Sequence, residues 1–325
     1  MFDDAIEEFW TWWATAREPL AVAIESEAPT DILDELTDQL WRIHPELDWQ
    51  IAPGATARHA LNLVSGGSRL LRLVAELWRR RGPAPDELWE YHPARRPFTP
   101  EPFLVAGLEV DPAAATATAV PDPLYHRLDL TVGHPAFEAL GDDDARDVAL
   151  YLLDAVLGED EAERWVGLLT TVPEPVGQPV DALADFVPEA TATWETDGWE
   201  DVSDQYDGIV DAHVDRSVKW IDHLDKPIYA EITIQGLSTD VDGMPVDLER
   251  ARLDTLTNDL LARLGRLAVP IGVATGDGER SLHLFTSTDP SVAETVDAWI
   301  AENPNRSIER EFAADEQWAY ADQWD

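Results

Sequence analysis

The sequence predicts an α+β fold in two parts, and three observations carry that prediction. From Lys226 to Tyr320, strand-like and helix-like stretches follow in β-α-β-β-α-β order, the split βαβ or ferredoxin-like plan. Ahead of it, a β-β-α-β order occurs twice in tandem. Between the two parts lies a strongly acidic stretch, Glu195–Asp225. The expected divisions are an N-terminal α/β domain over residues 1–194, an acidic connector over 195–225 and a ferredoxin-like domain over 226–325.

Each element has a local cause. In the first helix, Asp3 to about Glu25, residues Ile6, Phe9, Trp10, Trp13, Ala16 and Leu20 recur at helical spacing and define a core face. Trp12 lies off that face and is the candidate for contact with a partner. A second helix runs from near Asp31 to Arg42 and ends before His44-Pro45. The first β-β-α-β unit pairs Leu47–Ala52 with His59–Ser65, then has a helix from Arg69 to about Arg80 and a strand at Leu88–His92. The second pairs Ala115–Val120 with Arg127–Gly133, then has a helix at Asp144–Leu157 and a strand at Trp165–Thr171. A proline-rich loop with one short strand is expected over Arg96–Pro112. In the C-terminal part, Ile228–Ile234 alternates, and Leu253, Leu256, Leu260, Leu264 and Leu267 mark an amphipathic helix. Val269–Ala274 and Ser281–Thr286 are joined by a turn at Gly276-Asp277-Gly278. A helix opens at Asp289-Pro290, and Ser307–Phe312 is the last strand.

Gly243-Met244-Pro245 leads into Glu249, Leu253 and Leu256; Thr275, Gly278, Arg280, Leu284-Phe285, Asp315, Trp318 and Tyr320 follow. Together these residues resemble the bacterial domain-of-unknown-function family 695. Phe9-Trp10-Thr11-Trp12-Trp13, His44-Pro45 and Trp89 resemble the segment often found ahead of that domain. The resemblance implies no activity and no catalytic residues. In general plan the C-terminal part is also similar to small regulators that inhibit ribonuclease E, a likeness of fold alone.

Composition narrows the function classes. Acidic residues number 65 against 23 basic, a formal net charge of −42. Such a surface repels nucleic acid and anionic lipid, so neither is expected as a direct partner. The acidity fits either adaptation to high salt or a face that docks on a basic protein. There is no cysteine, hence no disulfide and no thiolate chemistry. An acidic start and the lack of any apolar run of about 18 residues point to a cytoplasmic protein without a membrane span.

Candidate chemistry is sparse. His44, His92 and His134 each precede proline, a step that restricts the backbone to extended geometry. His92 and His134 are nonetheless retained as possible ligand contacts. Ser65-Gly66-Gly67-Ser68 joins a strand to a helix beside Arg69 and Arg72, where free amides can receive an anion; neither the P-loop nor the dinucleotide fingerprint is matched. Asp240-Val241-Asp242-Gly243 starts like a calcium loop, but Met244 and Ala251 stand where oxygen ligands belong. Asp142-Asp143-Asp144 and Gly158-Glu159-Asp160-Glu161 read as solvated caps of one helix. Trp199 and Trp220, interleaved with acids, are further candidate contacts. No cofactor, metal set or catalytic constellation is predicted. The expected function is a non-catalytic protein-binding regulator or inhibitor. The alternatives are an enzyme using His59, His92 or His134 as acid or base between the domains, and an assembly protein dimerising through its C-terminal sheet.

Overall fold

The computed structural model describes residues 2–26, 31–192, 194, 198–203 and 210–324. The chain is mixed α+β and divides into two compact units, Met1–Asp122 with Arg127–Thr193, and Pro123–His126 with Trp194–Asp325.

In the first unit, α1 (Asp3–Glu25) and α2 (Asp31–Ile43) precede a sheet of β1 (Asp48–Pro53), β2 (His59–Val64) and β3 (Trp89–His92), with α3 (Arg69–Arg81) between the last two. β1 and β2 are antiparallel; β3 returns parallel to β2. Leu61, Leu63, Trp89 and Tyr91 face a core built with Ile6, Phe9, Trp13 and Leu20 of α1, Leu36 and Leu40 of α2 and Trp78 of α3. Three of the indoles are hydrogen-bonded as well as packed, whereas Trp78 Nε1 is buried without a partner among the described residues. Trp13 Nε1 donates to Tyr91 Oη at 2.9 Å, Trp10 Nε1 to the Trp78 carbonyl at 2.9 Å, and Trp89 Nε1 to the Arg17 carbonyl at 2.9 Å. Each large side chain removed from water contributes roughly 1.5–3 kcal/mol, so the aromatic stripe of α1 is explained by packing.

A hairpin of β4 (Phe103–Val105) and β5 (Leu108–Val110) occupies part of the proline-rich loop. A separate sheet then takes the order β8-β7-β6-β9 from β6 (Thr116–Asp122), β7 (Arg127–Gly133), β8 (Val166–Val172) and β9 (Gln178–Pro179). β6 and β7 are antiparallel, and β8 is parallel to β7. Two helices fill the crossover, α4 (Asp142–Leu157) and α5 (Glu159–Trp165), and α6 (Leu183–Thr191) follows β9. The α4–α5 break falls at Gly158, with φ +83° and room only for hydrogen, since a Cβ there would lie 2.9 Å from Pro97 Cδ.

The second unit has a six-stranded sheet in the order β10-β11-β13-β14-β12-β15, with every neighbouring pair antiparallel. Its strands are β10 (Trp199–Asp201), β11 (Val210–Asp215), β12 (Ile228–Gln235), β13 (Ala268–Gly276), β14 (Glu279–Thr286) and β15 (Ile308–Ala314). Two helices, α7 (Asp247–Leu264) and α8 (Ser291–Glu302), contribute Leu253, Leu260, Leu264, Val292, Val296 and Trp299 to a core against Ala230, Ile232, Ile234, Leu282 and Leu284.

One expectation changes here. The stretch 195–225, expected as a connector with helical character near 209–221, supplies β10 and β11 to this sheet. Ala212 and Val214 alternate with Asp211, His213 and Asp215, and pairing with β13 buries the two apolar side chains. A short 3₁₀ turn, Trp220–His223, follows. Residues 195–197 and 204–209 of that stretch lie outside the described residues.

Candidate functional site

The off-core face of α1 is carboxylate-rich. Asp4, Glu7, Glu8, Thr11, Trp12 and Thr15 fall at one- to four-residue steps and, with Gln39 and Arg42 of α2, line an open groove of about 700 Å³. Trp12 is half-buried, its ring 5.8 Å from Phe9 and 6.0 Å from Trp13. Three carboxylates and an indole face against one guanidinium make this concavity suited to a cationic group.

The Ser65–Ser68 turn has the geometry of an anion receptor, and the anion is the protein's own. Gly66 and Gly67 take φ of +56° and +79°. The Ser65 amide, the Ser65 hydroxyl and the Gly66 amide all donate to Glu159 Oε1, at 2.8, 2.6 and 2.7 Å. The Arg95 amide donates to Glu159 Oε2 at 3.1 Å. Ser68 Oγ accepts from the Leu71 amide and caps α3. Arg72 holds the Asp160 carboxylate through Nε at 2.7 Å and Nη2 at 3.0 Å. Arg69 makes contacts within its surroundings. Thus Glu159 and Asp160, expected as solvated caps, are ligands of the turn and of α3, and Glu159 is 5% exposed.

Beside this cluster Asp154 sits in the last turn of α4, with Arg95 Nη1 at 3.4 Å from Oδ2. Burial and the Glu159 carboxylate push its pKa up to about 7, against the pull of Arg95, and Glu163 adds to the rise. The Arg95 guanidinium lies over the Phe98 and Tyr151 rings, at 5.8 and 5.4 Å.

The histidines have separate partners. His92 Nε2 is 3.0 Å from Glu90 Oε1, and the Glu90 carboxylate also receives the Ala55, Thr56 and Ala57 amides at 2.9, 2.9 and 3.1 Å. Burial opposes ionisation of Glu90, but the amides of Ala55 and Thr56 together with His92 outweigh it and hold the carboxyl well below the usual range. His134 Nδ1 accepts from the Ala136 amide at 3.0 Å, so Nε2 carries the proton and donates to the Asp111 carbonyl at 2.9 Å. His59 lies 3.3 Å from Glu25 Oε1 and packs on Trp89. Among the described residues no group of three or more histidines and carboxylates is placed to hold a metal ion.

In the second unit the motif residues hold the architecture together. Glu249, 1% exposed, accepts from the Leu237 amide at 3.0 Å and pairs with Arg306. Arg280 bonds Thr275 Oγ1 at 2.9 Å and pairs with Asp254. Asp315 receives the Ala319 and Tyr320 amides at 2.9 and 2.8 Å. Trp318 donates to the Lys226 carbonyl at 2.9 Å and stacks on Phe285 at 3.9 Å; Tyr320 stacks on Tyr229 at 4.1 Å. Tyr229 Oη in turn meets His283 Nδ1 at 2.6 Å. Trp220 is buried, while Trp199, on β10, is 41% exposed. Sequence reading missed the Glu159, Asp154 and Glu90 contacts, because in so acidic a chain no single carboxylate stands out.

These features define a mixed α+β protein whose C-terminal sheet is backed by two helices on one face. Residues 210–323 match the Family of unknown function (DUF695). The match takes in β11 through β15 and both helices; the Phe9–Trp13 and Trp89 segment lies outside it. No curated protein matches the chain. Among the described residues no helix is long and apolar enough to cross a membrane.

Proposed function

We propose that the protein is a non-catalytic, cytoplasmic protein-binding regulator or inhibitor whose partner is basic. The observation that carries this reading is the α1–α2 groove, where Asp4, Glu7 and Glu8 surround the half-buried Trp12. Two further facts support it. The amide-lined turns suited to a small anion are filled by Glu159 and Glu90, and the family's motif residues are engaged in structural bonds.

For the fold we propose a ferredoxin-like core in the second unit, extended by two edge strands. The order β13-β14-β12-β15 and the antiparallel pairing of each neighbour support that reading. For the first unit we propose an internal duplication. Its support is the repeated plan of an antiparallel pair, a helical crossover and a third strand parallel to the second.

The functional test is a tagged pull-down from native lysate at physiological salt, read by mass spectrometry. The expected result is one near-stoichiometric basic protein with the wild type and its loss with Trp12→Ala combined with Glu8→Gln. Recovery of the tagged protein alone, or of the same partner with the variant, overturns this reading.

A further inference from the structure

The loop between β12 and α7, with the first turn of α7, carries exposed aliphatic side chains on an ordered scaffold. Leu237, Val241, Val246 and Leu248 are 58%, 99%, 38% and 65% exposed, all within one twelve-residue stretch. Single exposed aliphatics are ordinary, whereas a cluster on one surface feature marks an interaction site.

The loop is firmly built. Thr239 and Pro245 form an antiparallel bridge. The Val246 amide donates to the Ser238 carbonyl at 3.2 Å and the Asp240 amide to the Met244 carbonyl at 2.8 Å. Asp240 Oδ1 accepts from the Asp242 and Met244 amides at 2.9 and 3.0 Å. Gly243 takes φ +81°, and its carbonyl accepts from the Gly278 amide at 2.8 Å, which ties the tip to the β13–β14 turn. Glu249 anchors the base through the Leu237 amide. Holding four aliphatic side chains in water on a rigid frame costs free energy that a partner recovers without first ordering the loop.

The chemistry of the surroundings selects the occupant. Asp240, Asp242 and Asp247 are exposed on the same loop. A second copy of this chain would set these carboxylates against one another within a molecule of net charge −42, which opposes self-pairing. We propose that the 237–248 loop is a docking surface for a basic amphipathic segment of a partner protein. Val241 and Leu248, the most exposed of the four, meet its apolar side chains, and Asp242 and Asp247 meet the lysines or arginines that border them. This deepens the protein-binding reading by adding a second contact, on the family domain.

The test uses the full chain and two synthetic peptides of equal length and charge, one placing leucines at i, i+3, i+4 and i+7 among lysines as an amphipathic helix, the other with serine in place of leucine. Binding is followed by fluorescence anisotropy at about 0.1 M and about 1 M salt, over which the Debye length falls from about 10 to about 3 Å. The expected result is binding of the leucine peptide alone, weakened about tenfold or more by Val241→Ser with Leu248→Ser and insensitive to Trp12→Ala. Asp242→Asn with Asp247→Asn is expected to weaken binding severalfold at low salt and little at high salt. Equal binding by wild type and the Val241/Leu248 variant overturns the proposal, and so does failure of the leucine peptide to bind. Loss with Trp12→Ala alone assigns the basic contact to the α1–α2 groove; it overturns the loop proposal and leaves the proposed function standing. Sedimentation velocity supplies the remaining arm, since a wild-type dimer abolished by Val241→Ser with Leu248→Ser makes the occupant a second copy and also overturns the proposal. Val241, Leu248, Asp242 and Asp247 are exposed, so circular dichroism and melting of their variants are expected to match the wild type.

Discussion

Glu249 in the second unit, buried, and Asp154 in the first, half-buried, are carboxylates treated in opposite ways. Glu249 meets the Arg306 guanidinium and the Leu237 amide, and these hold its carboxyl below the ordinary range. Asp154 has Arg95 at 3.4 Å, but Glu159 and Glu163 crowd it and burial raises its pKa to about 7. Burial is the largest cause of the rise at Asp154, whereas at Glu249 the Arg306 and Leu237 donors outweigh it. What decides the charge state is whether the donors around the oxygens outweigh burial and neighbouring anions. In a chain with 65 acidic and 23 basic residues, cationic partners are scarce, and the few buried arginines are placed where they hold the fold.

Three substitutions would break or sharpen that comparison. The largest effect is expected from Glu249→Ala, which leaves Arg306 buried without its counter-ion and the Leu237 amide without its acceptor. A loss of about 3–5 kcal/mol in chemical denaturation is expected; a loss below about 1 kcal/mol would mean the pair is not structural. The middle effect is a pH dependence. Asp154 has a folded pKa above its unfolded value, so the native state binds more protons. Its contribution is therefore most favourable below about pH 4 and is lost as pH rises to about 7, with a flat profile above. Asp154→Asn is expected to remove about 2–4 kcal/mol of that slope. Unfolding measured at several pH values checks it, and an unchanged slope assigns the dependence to other groups. The smallest effect is expected from Ser65→Ala, which deletes one donor to Glu159 and keeps the Ser65, Gly66 and Arg95 amides. A loss of about 1 kcal/mol follows, while a loss above about 3 kcal/mol would show that the hydroxyl dominates the clamp.

Part of the loop proposed for docking is visible in the chain: Gly243-Met244-Pro245 belongs to the family resemblance, and Asp240-Val241-Asp242-Gly243 starts like a calcium loop without completing one. That four aliphatics beside it stay in water was not visible, because apolar residues near a helix start are normally read as core. The groove was half legible, since Trp12 fell off the apolar face of α1. The Gln39 and Arg42 wall was not, because α2 meets α1 only in three dimensions.

The sequence by itself determined the elements whose signal is local. Helical spacing placed α1 and α7, alternation placed β12, and Gly276-Asp277-Gly278 marked the β13–β14 turn. It also carried the resemblance of the C-terminal part to the family whose model matches residues 210–323. Tertiary structure alone decided the rest. The 195–225 stretch became β10 and β11 because the neighbouring β13 offered pairing that buries Ala212 and Val214, an energy absent from the isolated segment. Glu159 fills a turn 94 residues away, and Asp154 owes its raised pKa to that same carboxylate. Both depend on distances between chain-remote atoms and on exclusion of water, quantities that appear only when the chain has folded.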